Sequence, residues 1–199
     1  LIVLQEWWGL VPEIKDVCDD FAAAGYTALA PDLYNGETAD QPSEAEQKMM
    51  AMNIDETAKQ LSGAIDFVAS EAGAHKVGTV GFCLGGGLSV FAASLNDKVG
   101  ACVSYYYVMP HKKPDFSAIN SPVLMHWGDE DAWNDEATVN ALLEEMRDAA
   151  HLAEVAARLG EGVAHLAGRA IAVVGERAHE HRDAARAVAL VDHLLEVRA

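Results

Sequence analysis

The chain is 199 residues long, 51% apolar, and carries a formal net charge of −17 from 14 Lys and Arg against 31 Asp and Glu. That length and apolar share suit one core-forming domain over residues 1–199 and exclude a disordered chain, while the acidic excess argues against a nucleic-acid partner, whose phosphates it would repel. No apolar run reaches the roughly 18–20 residues of a bilayer span and the start lacks signal-peptide features, so a cytoplasmic protein without a membrane partner is expected.

Leu1–Leu4 is too short for a buried helix and reads as a central strand, entered without a preceding turn, so further residues are expected upstream. Pro12 opens a helix with apolar residues at Ile14, Val17, Cys18 and Phe21, stopped by Gly25. Tyr26–Ala30 is predicted as a strand closed by Pro31, and residues 32–43 as a loop long enough to carry function. Helical pattern resumes at Glu44 and again over Asp55–Ala72. His75–Val80 is a third predicted strand, followed by a glycine-rich turn and a helix over Leu88–Leu95. Val99–Tyr107 and Pro122–Trp127 read as strands and Glu136–Ala150 as a helix. Such alternation predicts an α/β fold, a mostly parallel sheet with helices on both faces. All seven Lys lie at or before Lys113 and all seven Arg at or after Arg147; the tail is too short for its own core and is assigned to the last layer of the same domain.

The strongest chemical signal is Gly81, Phe82, Cys83, Leu84, Gly85, a GxSxG nucleophile elbow with Cys at its centre. A strand turning sharply into a helix lifts the central side chain above the strand ends, where unpaired amides favour a thiolate and a developing oxyanion. The plain alternative is a buried Cys beside a glycine turn. Cys18 and Cys102 read as inert core thiols, and the three cysteines have no metal-ligand spacing. Catalytic groups on such a sheet come from loops at the carboxyl ends of the strands. Asp131, after the Pro122–Trp127 strand, is the candidate acid, against a solvated turn capping the next helix. His165, in a loop-like stretch before the final helix, is the candidate base, whereas His179 and His181 flank the start of that helix as exposed or capping residues and His193 falls on its interior. Glu6 follows the first strand beside two Trp, placed to regulate a thiol's ionisation. The amides of Leu84 and Trp7 are where an oxyanion hole would form, and Trp7, Trp8, Tyr34, Tyr105, Tyr106 and Trp133 would wall a pocket.

The stretches Leu4–Gln5–Glu6–Trp7–Trp8–Gly9, Ala28 through Tyr34, Gly81–Phe82–Cys83–Leu84–Gly85–Gly86 and Pro122 through Asp131 together resemble the dienelactone hydrolase (carboxymethylenebutenolidase) family of the α/β-hydrolase fold. The resemblance implies a triad of Cys83, Asp131 and His165, with Glu6 hydrogen-bonding the resting thiol and helping to deprotonate it once substrate displaces the carboxylate. It implies substrate-carboxylate binding by Arg169, four positions after His165; the family's second Arg has no match, since no Arg precedes Arg147. Two short strands that usually precede the first conserved strand are missing, and Leu159–Gly160–Glu161–Gly162 replaces the usual aromatic-Pro-Gly lead-in to the His. The expected activity is cofactor-free and metal-free hydrolysis of a small-molecule ester or lactone through a thioester, with broad specificity extending to activated phosphotriesters. A thiol redox protein and an inactive binding module of the same fold are the alternatives, and the sequence sets no oligomeric state.

Overall fold

In the computed structural model, residues 1–128, 131, 133–149 and the backbone of 171–175 are described. Five strands form one parallel sheet in chain order: β1 (Ile2–Leu4), β2 (Val77–Phe82), β3 (Val99–Tyr105), β4 (Val123–Trp127) and β5 (Ile171–Gly175). Between them lie α1 (Pro12–Ala23), α2 (Pro42–Ala51), α3 (Ile54–Glu71), α4 (Leu84–Leu95) and α5 (Glu136–Ala149).

Strand side chains alternate between two cores, which is why β1 to β3 are buried along their whole length. Ile2, Leu4, Met125 and Trp127 share one core with Leu61 and Ile65 of α3, Leu84 and Leu88 of α4 and Leu143 of α5. Val3, Val80, Val103 and Leu124 meet Ile14, Val17 and Phe21 of α1 on the other face. Helices therefore cover both faces, as expected. Pro12 at the first turn of α1 and Asn53, whose side chain accepts the amides of Asp55 and Glu56, set where α1 and α3 begin.

Three expectations differ from the structure. Tyr26–Ala30 is not a full strand: only Leu29 bridges Ile2 in parallel, its amide donating to the Leu1 carbonyl while its own carbonyl accepts from Val3. This segment lies on the outer side of β1, so β1 is not left bare there. The helix after the elbow starts at Leu84 rather than Leu88, because three consecutive glycines are tolerated where the chain is packed too tightly for side chains. β5 is not among the strands expected from sequence, although Ile171, Ala172, Val173 and Val174 are a short apolar run of the kind a buried parallel strand needs. Among the described residues, no helix is long and apolar enough to cross a membrane.

Candidate active site

All five strands point the same way, so their carboxyl ends share one edge, with Leu4 beside Gly81, Phe82 beside Tyr105, Tyr105 beside His126 and Trp127 beside Gly175. Immediately past this edge stand Glu6 and Trp7 after β1, Cys83 after β2, Tyr106 after β3 and Asp131 after β4.

Cys83 has φ 56° and ψ −117°, a left-handed conformation that a side chain adopts only under constraint. The constraint comes from both flanking glycines. A Cβ on Gly81 would fall onto the Gly85 carbonyl and lie 2.9 Å from the Gly86 nitrogen, and one on Gly85 would run into the Leu4 carbonyl and lie 2.6 Å from that of Gln5. Strand, elbow and helix thus pack backbone to backbone, which only the Gly81/Gly85 spacing permits.

The amides of Leu84 and Trp7 both hydrogen-bond the Cys83 sulfur and favour its thiolate. They are the two donors expected for an oxyanion hole, brought together here from different strand ends. Burial nevertheless dominates. With repulsion from Glu6 and a smaller one from Asp131, it pushes the thiol up to about 11, so the resting residue is a neutral thiol despite the helix N-terminus. The Glu6 carboxylate takes its hydrogen bond from the Tyr106 hydroxyl at 3.0 Å rather than from the thiol. Burial first and the Glu6 charge second keep that hydroxyl protonated far above its ordinary range.

Asp131 borders the same cavity as Cys83, and its Oδ1 accepts the amides of Trp133 at 2.7 Å and Asn134 at 3.1 Å. It does not cap the next helix: Asp135 does so, accepting the Thr138 amide at 2.8 Å. The cavity measures about 210 Å³ and is lined also by Trp7, Met49, Tyr106, Val108, Trp133 and Asn134. Trp133 is 70% exposed and meets Trp7 edge to face at 5.9 Å, while Trp8 backs Trp7 at 5.2 Å without lining the cavity.

Besides Trp8, two more expected wall residues sit elsewhere. Tyr105 is only 7% exposed and lies flat between Phe82 and His126 in the α1-side core, so it cannot touch a substrate in this cavity; Tyr106, turned by a positive φ of 39°, takes that place. Tyr34 lines a neighbouring depression with Glu37 and Lys48, yet is close enough to Cys83 that a thiolate there raises its hydroxyl, after burial as the larger cause. Its position is set by Asp32, which accepts the amides of Tyr34 at 3.1 Å and Gly36 at 2.6 Å. Met49, Val108 and Asn134 were not anticipated from sequence; only Asn134, three residues beyond the acid, carried a local signal. His165 and Arg169 lie outside the described residues. Among the described residues, no group of three or more His, Cys, Asp or Glu is placed to hold a metal ion.

The sequence model of the dienelactone hydrolase family matches residues 1–189. Protein usf of Aquifex pyrophilus is 36% identical over 147 residues, covering 68% of this chain and 64% of its own length. Carboxymethylenebutenolidase 1 of Cupriavidus pinatubonensis is 31% identical over 158 residues, covering 73% of this chain and 66% of its own length. The chain thus spans about two thirds of these relatives or slightly less. A dienelactone hydrolase-like promiscuous phosphotriesterase, P91, from metagenomic libraries superposes with a TM-score of 0.73 at 18% identity, over 97% of this chain and 85% of that one, a likeness of fold.

Proposed function

The chain belongs to the dienelactone hydrolase family, and on that footing we propose that it hydrolyses small esters or lactones through Cys83 as a covalent nucleophile. The observation that carries this reading is Cys83 in its strained elbow, with the Leu84 and Trp7 amides on its sulfur and Asp131 across the same cavity.

In the proposed reaction a histidine oriented by Asp131 takes the Cys83 proton and the sulfur attacks the ester carbonyl. The carbonyl oxygen becomes an oxyanion held by the two amides. The intermediate collapses as the C–O bond breaks, the alcohol leaves with the proton from the histidine, and water then hydrolyses the thioester to free the acid and regenerate the thiol. Because the resting thiol is held neutral, the step that needs help is deprotonation, and Glu6 assists once a bound substrate shifts its carboxylate away from Tyr106. The same nucleophile and amides would serve an activated phosphotriester, with the phosphoryl oxygen in place of the carbonyl oxygen.

His165 is the base that the sequence pattern selects, and Arg169 the residue for a substrate carboxylate. One observation favours a second assignment of the base. β5 runs parallel to β4 and ends at Gly175 on the nucleophile's edge, so His179 and His181 follow its carboxyl end, whereas His165 precedes its amino end.

The test is a burst-phase assay with p-nitrophenyl acetate on wild type and Cys83→Ala, with mass spectrometry of trapped enzyme. An acyl adduct on Cys83 that turns over is expected. A folded wild type without adduct or Cys83-dependent turnover would overturn the reading in favour of a binding module, and thiol reactivity without hydrolysis would favour redox chemistry.

A further inference from the structure

The cavity over Cys83, at about 210 Å³, is smaller than the roughly 300–1,000 Å³ of ordinary small-molecule sites. It does not end at its own walls. Met49, Val108, Trp133 and Asn134 also line a second, open groove of about 750 Å³ that runs on between α2, the segment after β3 and α5. Most of that groove is hydrocarbon: Met49 and Met50 from α2, Val108 and Met109 from the segment, Val139 and Leu142 from α5. Met50, on the rim of this lining, is 56% exposed.

The walls are tied in place. His111 Nε2 lies 2.6 Å from the Met49 carbonyl oxygen, fixing the segment to α2, and the Lys113–Glu145 ion pair fixes it to α5. That pair also neutralises Lys113, the one cation lining the groove among the described residues, while Glu46 adds a negative charge at its edge. No Lys or Arg lines the cavity over Cys83 among the described residues.

We propose that this groove is the specificity subsite for an uncharged, apolar chain of the substrate, so that the enzyme prefers medium-chain alkyl esters to their two-carbon counterparts. This rests on Cys83 being the nucleophile. The argument is continuity: an ester carbonyl seated on the Leu84 and Trp7 amides has an apolar, preformed path leading away from it past Met49 and Val108.

The experiment measures kcat/KM for two ester series, p-nitrophenyl esters from acetate to octanoate and alkyl acetates from methyl to hexyl. In one of them kcat/KM is expected to rise about three- to fourfold per methylene over the first few carbons, the factor that burial of each CH₂ gives. Ala141→Trp and Met50→Glu, both at exposed groove positions, are then expected to lower the ratio of hexyl-chain to two-carbon turnover at least tenfold. Flat or falling series in wild type, with two-carbon turnover that depends on Cys83, would overturn the subsite alone. Variants that keep the wild-type ratio would do the same. Absence of any Cys83-dependent turnover would overturn both the subsite and the nucleophile reading.

Discussion

Replacing Glu6 by Gln should make Cys83 more reactive at rest and the enzyme slower in turnover, two effects of opposite sign from one change. The thiol stands at about 11, so at pH 8 roughly one molecule in a thousand is ionised. Burial is the larger cause and the Glu6 charge the second, so neutralising the carboxylate lowers the thiol while burial still holds it up. Each pH unit of lowering raises the thiolate population about tenfold, but a less basic thiolate is intrinsically weaker, with a Brønsted slope of about 0.4–0.5. The net expectation is a faster second-order alkylation by iodoacetamide at pH 8, by about three- to fourfold for each unit the thiol falls, read by peptide mapping at Cys83, with Cys18 and Cys102 as internal references. Turnover of p-nitrophenyl acetate should fall, because Gln cannot accept the proton that Glu6 is proposed to help remove. Unchanged or slower alkylation would refute the electrostatic account, and unchanged turnover would remove Glu6 from the chemistry.

Gly85→Ala should cost about 3 kcal/mol or more in urea unfolding and abolish turnover, because its Cβ meets the backbone of Leu4 and Gln5 rather than a side chain that can move. Tyr106→Phe removes the donor to Glu6 and is expected to cost about 1 kcal/mol of stability while shifting the pH profile of kcat, whereas a purely structural tyrosine would leave that profile in place. Cys102 is fully buried and its thiol is raised to about 11, so its neutral form is preferred by the fold: the stability it lends is complete below about pH 9 and is lost as pH rises towards 11. The melting temperature should therefore decline less steeply over that window in Cys102→Ala than in wild type. Single Ala variants of His165, His179 and His181 should identify the base as the one that lowers kcat at least a hundredfold without loss of folding.

How much of this site is legible in the sequence follows from what kind of force sets each part. The elbow was legible because Gly81 and Gly85 are demanded by backbone collisions that no other residue relieves, and a collision leaves its mark in the sequence itself. Asp131 and the Leu84 and Trp7 amides were legible for a related reason: once strands are parallel, whatever follows each carboxyl end is brought to one edge. The choice between Tyr105 and Tyr106 was not, since it depends on where the alternation of β3 gives way to a positive φ, and three consecutive tyrosines give no pattern from which to count. Met49 and Val108 come from a helix and a loop whose only signal is apolarity, which core and cavity share.

The missed strand β5 shows how one local error propagates into chemistry. With Ile171–Gly175 taken as part of a loop-and-helix tail, His165 is the loop histidine the sequence favours; a parallel strand there ends at Gly175, and the histidines that follow it in sequence are His179 and His181. The rule that catalytic groups follow strand ends is unchanged, and only the place where the strand ends has moved. The proposed nucleophile rests on a steric necessity within five residues that the sequence itself displays, whereas the base rests on where the last strand ends, so the three histidine variants have to decide it.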